Sequence, residues 1–266
     1  MKMRGLWWAL AVVLALGVSP AAAQQAQQKP YEPQVGQEGK DVVWVPTPQV
    51  LVDRMLDIAK LTPQDYLIDL GAGDGRTVIT AAKRGSRAHG IEYNGDMVEL
   101  ARRAAAEAGV SDRATFAQAD IFESDFSKAQ VITMFLLPSL NMKLRPTLLD
   151  LAPGTRIVSN SFTMEDWVAD EISEVEEDCT SWCTAHLWIV PAKVAGTWDT
   201  PQGPLVLTQE FQNVAGTLGG TAIAMGKLRG AEITFTAGNV TYTGRVDGNT
   251  MKGTMTGGNP WTATKR

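Results

Sequence analysis

At 266 residues the chain is long enough for one ordinary α/β unit and a smaller companion, and 44% hydrophobic with 20% charged residues marks it as globular, not disordered. A formal charge of −5 gives no electrostatic reason to expect a nucleic-acid partner. The one strongly acidic run, 171–178, reads as a solvated face.

Residues 1–23 read as a Sec-type signal peptide. Lys2 and Arg4 precede an apolar stretch from Leu6 to Val18, Ser19-Pro20 breaks it, and Ala21-Ala22-Ala23 supplies small residues before Gln24. An uncleaved membrane anchor is the other reading, although the apolar stretch is short for a bilayer span. Cleavage leaves no stable membrane span, and the expectation is an exported protein, periplasmic or secreted. Residues 24–40, rich in Gln, Pro, Gly and Glu, read as a flexible linker.

Over 41–194 strand-like and helix-like stretches alternate, the pattern of a mostly parallel sheet wrapped by helices. Thr47 is the candidate N-cap of the first helix and Pro48 its first residue, with Leu51, Met55 and Ile58 following at helical spacing. A strand is predicted over 66–70, then a Gly-rich turn and a helix over 76–84 ended by Gly85. Strand 87–92, helix 95–108 and strands 115–118, 131–136 and 155–159 follow. Segments 172–177 and 185–190 are expected to pair as a hairpin, an antiparallel edge on the parallel sheet. Residues 195–266 alternate apolar and polar positions between Gly-rich turns, which predicts a small antiparallel β domain, a meander or partial barrel. Its core candidates are Trp198, Phe211, Phe235, Tyr242 and Trp261.

The chemistry is carried by Asp69-Leu70-Gly71-Ala72-Gly73-Asp74-Gly75-Arg76, directly after a predicted strand and opening a helix. Glycines there let the backbone turn tightly and let a ligand approach the peptide groups, while the helix N-terminus suits a carboxylate or phosphate. Glu92 ends the second strand, where an acid can accept from both hydroxyls of a ribose. The glycines alternate instead of following Gly-x-Gly-x-x-Gly, and Asp69 and Asp74 disfavour a pyrophosphate. An ammonium, a carboxylate and an adenosine ribose together describe S-adenosylmethionine (SAM) better than a dinucleotide.

Asp69 to Arg76, Glu92 and Ala119-Asp120-Ile121 resemble the first three motifs of class I SAM-dependent methyltransferases, over roughly 42–191. Val45-Pro46-Thr47-Pro48 and Ala81-Ala82-Lys83-Arg84-Gly85 bring it closer to a subgroup of small bacterial methyltransferases and the mitochondrial lysine methyltransferases acting on an ATP synthase subunit. The resemblance implies a Rossmann-like, seven-stranded methyltransferase sheet with SAM as cofactor. It places Asp69, Gly71 and Gly73 at the methionine part, Glu92 at the ribose, and Asp120 with Ile121 at the adenine, and adds Ala72 and Tyr93 to the cofactor-binding residues. It implies a methyl acceptor that is not identified, a protein lysine being one candidate. The segment Phe135-Leu136-Leu137-Pro138-Ser139 departs from the Asn/Asp-Pro-Pro-aromatic pattern of enzymes that methylate nucleic-acid bases. Trp44, Phe135 and Pro138 are candidates for an acceptor pocket, and no general base can be named. A non-catalytic SAM-binding or nucleoside-binding protein, or an envelope interaction protein on the same scaffold, is the alternative.

Cys179 and Cys183 lie within Cys-Thr-Ser-Trp-Cys. In an exported protein two cysteines suggest a disulfide, here across the turn of the expected hairpin. With His186 they also spell Cys-x3-Cys-x2-His, but no fourth ligand is evident and no metal site is assigned. His89, within the second strand, reads as a structural residue.

Overall fold

A computed structural model of the chain describes residues 31–266, and residues 33–266 form one compact unit. The predicted signal peptide and the linker up to residue 30 lie outside the described residues.

The first sheet is built from α1 (Gln49–Ile58), β1 (Tyr66–Leu70), α2 (Arg76–Lys83), β2 (Arg87–Glu92), α3 (Gly95–Glu107), β3 (Ala114–Gln118), β4 (Val131–Met134), α4 (Pro138–Leu149), β5 (Arg156–Asn160), β6 (Glu171–Glu174) and β7 (Thr184–Ile189). Its seven strands lie in the order β3-β2-β1-β4-β5-β7-β6. The first five are mutually parallel, and β7 runs antiparallel to both β5 and β6. Strand order reverses between β1 and β4, which opens a crevice at the carboxyl ends of those strands. Leu67, Ile68 and Leu70 of β1 are buried, as an internal strand covered on both faces requires.

Two local expectations change. Thr47 does not cap α1: the cap position is Pro48, with extended ψ of 138° and no side-chain capping bond. The Thr47 hydroxyl instead accepts from Asn160 Nδ2 at 3.2 Å, because it is buried against the end of β5. The helix α4 has no counterpart in the sequence reading. It carries Pro138 in its first turn and Pro146 inside, and one of its three buried positions is Asn141. Leu144 and Leu148 alone are a thin apolar stripe, and an internal proline ordinarily argues against a helix.

The C-terminal strands β8 (Gly196–Thr200), β9 (Gly203–Glu210), β10 (Asn213–Leu218), β11 (Thr221–Arg229), β12 (Glu232–Ala237), β13 (Val240–Asp247), β14 (Thr250–Met255) and β15 (Pro260–Lys265) each pair antiparallel with the next. Pairing of β15 with β8 closes them into a barrel, which leaves no open sheet edge. Its interior is solid. Phe235 stacks on Tyr242 at 4.9 Å, Trp261 meets both edge-on, and Trp198 is fully buried. Phe211 is not part of this core. It occupies the β9–β10 turn with φ 52° and stacks on Trp167, in the β5–β6 connection, at 6.0 Å. Gln212 Nε2 adds a bond to the Val168 carbonyl at 2.8 Å, and Ala192 N donates to the Gly230 carbonyl at 2.8 Å, so barrel and sheet pack together.

Candidate cofactor and acceptor site

The turn after β1 is a left-handed elbow. Gly71, Gly73 and Gly75 have φ of 79°, 53° and 81°, a conformation that a side chain resists. A Cβ on Gly73 would lie 2.6 Å from Trp44 Nε1, so the glycine lets the Trp44 indole pack directly against the elbow. Gly71 N and Ala72 N both donate to the Ile91 carbonyl, at 2.9 and 3.0 Å, which ties the elbow to β2 one residue before Glu92.

Four acids surround this elbow in different states. Asp69 is buried and accepts from Thr133 Oγ1 at 2.6 Å. Burial raises its carboxyl to about 7, and the nearby charges of Asp74 and Glu92 push the same way against the Thr133 hydrogen bond. Asp74 is neutralised by Arg76, whose Nη2 lies 2.6 Å away and whose Nη1 donates to the Thr47 carbonyl at 2.8 Å. Glu92 faces the elbow. Its Oε2 accepts from Gly73 N and its Oε1 from Asn94 N, both at 2.9 Å, and an ionised carboxylate keeps further lone pairs for a ligand. Asp120 accepts from Phe122 N at 2.9 Å and is paired with Lys40, whose ammonium also lies 4.9 Å from the centre of the Tyr93 ring. The Lys40 hydrogen bond, then the Phe122 amide, hold the Asp120 carboxyl below the usual carboxylate range.

Asp69, Gly71, Ala72, Gly73, Glu92, Tyr93, Asp120 and Ile121 all line one cleft, which encloses about 1040 Å³ of space, part of it open to solvent. Trp44 and Phe135 line it too. Pro138 does not: it is exposed in the first turn of α4 and lines neither described cavity. Residues 37–40, read from sequence as linker, form part of the wall. Gly36 N donates to the Trp44 carbonyl and Trp44 N to the Gln37 carbonyl, at 2.8 and 2.9 Å, so this segment closes on itself over the cleft. Lys40 was not singled out by sequence reading, since no motif marks it. Its partner across 80 positions is visible only in the fold. The barrel contributes none of the lining residues.

The cleft brings together groups of the kinds that SAM's parts call for. A side-chain-free elbow and the buried Asp69 suit the amino-acid end, Glu92 suits a ribose diol, and Asp120 suits an exocyclic amine. The cleft continues into an apolar groove of about 400 Å³ walled by Phe135, Phe162 and Trp182 among others. Trp182 lies between Cys179 and Cys183, which form a disulfide with Cα atoms 5.9 Å apart. The bridge takes both sulfurs out of the Cys-x3-Cys-x2-His alternative. His89 Nδ1 lies 2.8 Å from Thr115 Oγ1 on the neighbouring strand, consistent with a structural role.

Comparison with known proteins places this geometry. Residues 69–171 match the family model described as the ANTKMT methyltransferase domain. A protein-lysine N-methyltransferase of Saccharolobus islandicus (strain REY15A) is 41% identical over 152 residues, which cover 56% of this chain and 94% of that protein. A lysine N-methyltransferase of Xenopus laevis that acts on an ATP synthase subunit is 32% identical over 133 residues, 48% of this chain and 57% of that protein's length. Among solved structures, an RNA methyltransferase from Salinibacter ruber in complex with S-adenosyl-L-homocysteine is 47% identical, covering 56% of this chain and 96% of its own, with a TM-score of 0.53. Fold, cleft and relatives agree: the chain belongs to the SAM-dependent methyltransferases.

Proposed function

We propose that this methyltransferase transfers the methyl group of SAM to the side-chain amine of a protein lysine, and that it does so outside the cytosol. The acceptor class is carried by the 41% identity to a protein-lysine N-methyltransferase across 94% of that protein's length. SAM, when bound, supplies a methyl on a sulfonium whose sulfur leaves as a neutral thioether, so no acid is needed for the leaving group. The work left to the chain is positioning and control of water. Asp69 and the elbow hold the amino-acid end, Glu92 fixes the ribose, and Asp120 orients the adenine.

The Salinibacter relative is described as an RNA methyltransferase. The net charge of −5 and the exposed Glu174, Glu176, Glu177 and Asp178 beside Trp182 oppose a polyanionic acceptor here. Two features support export: the basic, apolar and small-residue succession over 1–23, and a disulfide of the kind that persists in oxidising compartments. Among the described residues no helix is long and apolar enough to cross a membrane.

The test is methylation of a cell-envelope extract by the purified protein with methyl-labelled SAM. The expected result is protease-sensitive, nuclease-resistant label recovered as methyllysine after hydrolysis. Label lost to nuclease would refute the lysine reading. A reporter fused after Arg266 that is active only in the cytosol would refute the export reading.

A further inference from the structure

We propose that Phe135, Phe162 and Trp182 form the entrance through which the acceptor's lysine side chain reaches the cofactor cleft, and that the Cys179–Cys183 disulfide holds this entrance in shape. The proposal rests on the lysine reading above. The three rings come from three separate elements at the carboxyl edge of the sheet. Phe135 directly follows β4, Phe162 lies two residues past β5, and Trp182 belongs to the β6–β7 connection. Their centroids are 6.0 Å apart for Phe135 and Phe162, 5.7 Å for Phe135 and Trp182, and 5.3 Å for Phe162 and Trp182. The groove they wall shares Val42, Val45 and Phe135 with the cofactor cleft, so the two spaces adjoin.

An ordinary aromatic core would be buried, whereas Trp182 is 43% exposed. Its φ of 59° lies in the left-handed region, which a bulky side chain rarely adopts, and Asp178 just before the bridge has φ 56°. One left-handed position directly precedes, and the other lies within, a loop whose ends are covalently joined across a separation of 4 residues. Local cost of this kind persists where surrounding structure enforces it, and here it aims an indole at the other two rings. The chemistry of the surface selects one occupant. A lysine presents an aliphatic stem that suits apolar walls and a cationic tip that the faces of aromatic rings attract, methylated forms included. The exposed acids on the same hairpin, Glu174, Glu176, Glu177 and Asp178, add complementarity to a basic segment around that lysine.

The test uses the full chain saturated with S-adenosyl-L-homocysteine. Nα-acetyl-trimethyllysine methylamide and its neutral isostere, with tert-butyl in place of trimethylammonium, are titrated with tryptophan fluorescence as the readout. The cation is expected to bind about tenfold more tightly than the isostere. Trp182→Ala is expected to lose that preference, and the double variant Cys179→Ser/Cys183→Ser to weaken it, with S-adenosyl-L-homocysteine affinity within twofold of wild type in both. Equal binding of cation and isostere, or an undiminished preference in Trp182→Ala, overturns the proposal. So does loss of S-adenosyl-L-homocysteine binding in step with the cation, which would mark the hairpin as a structural support only. Poly-L-lysine methylation separates this failure from that of the lysine reading. Transfer by wild type with an unchanged KM in Trp182→Ala sinks the entrance alone, whereas cation binding at Trp182 without any transfer to poly-L-lysine or envelope protein sinks the lysine reading.

Discussion

Cofactor binding should depend on pH through Asp69. Its buried carboxyl stands at about 7, with burial the main cause and the charges of Asp74 and Glu92 adding to it. The ammonium of the ligand selects the ionised form, so binding draws this group below its free value and releases a proton. Between pH 6 and pH 7 the ionised fraction rises from about one-tenth to about one-half, which strengthens binding about fivefold, or ~1 kcal/mol. Above about pH 8 the ligand's own α-ammonium begins to deprotonate, so affinity should pass through a maximum. The linkage runs the other way for the free protein. A carboxyl raised on folding binds more protons folded than unfolded, so stability declines as pH rises from the model-peptide value of 3.8 towards about 7 and then levels. Calorimetry with S-adenosyl-L-homocysteine, in buffers of different ionisation enthalpy, reads both the affinity and the proton count. Flat affinity between pH 6 and pH 7 without proton release, or an unchanged slope in Asp69→Asn, would refute the reasoning.

Glu92→Ala should weaken SAM at least about tenfold in the same assay, since it removes the ribose acceptor and leaves Gly73 N and Asn94 N without the partner they now have. Lys40→Met should tighten SAM a few-fold by freeing the Asp120 carboxylate, and weaker or unchanged binding would show that Lys40 does not compete for that position. Arg156→Ala should lower stability by about 2 kcal/mol in urea unfolding, because Arg156 caps the Ala59 carbonyl at 2.8 Å and pairs with the nearly buried Asp65. Trp198→Ala should cost about 3–5 kcal/mol by emptying the barrel core, yet leave SAM affinity within twofold in the folded protein, since no barrel residue lines the cleft.

The cofactor half of the site was readable because its chemistry is local. Asp69 to Arg76 needs its glycines within one turn, and Glu92 is placed by the length of a single strand–helix–strand unit. Tyr93, Asp120 and Ile121 came from the family resemblance, which places them just past the second and third strands. The acceptor half depends on long-range closure, and there the sequence was less informative. Phe162 and Trp182 meet Phe135 only because β7 folds back between β5 and β6, and nothing local announces that encounter. Pro138 suggested a pocket by its neighbours, but its pyrrolidine ring opens α4 and faces solvent. Composition made residues 37–40 resemble linker, because Gln, Glu, Gly and Lys carry no apolar period. Their place over the cleft comes from backbone bonds to Trp44 and the Lys40 pair with Asp120. Phe211 alternates correctly for a barrel strand, yet a left-handed turn at its own position directs it to Trp167 instead.

A crystal structure of the protein with S-adenosyl-L-homocysteine tests the central claim most directly. The account predicts both ribose hydroxyls on the Glu92 carboxylate, the amino-acid end against Asp69 and the glycine elbow, and Asp120 released from Lys40 to meet the adenine amine. A ligand seated elsewhere, or in this cleft with Glu92 still bonded only to Gly73 N and Asn94 N, would contradict it.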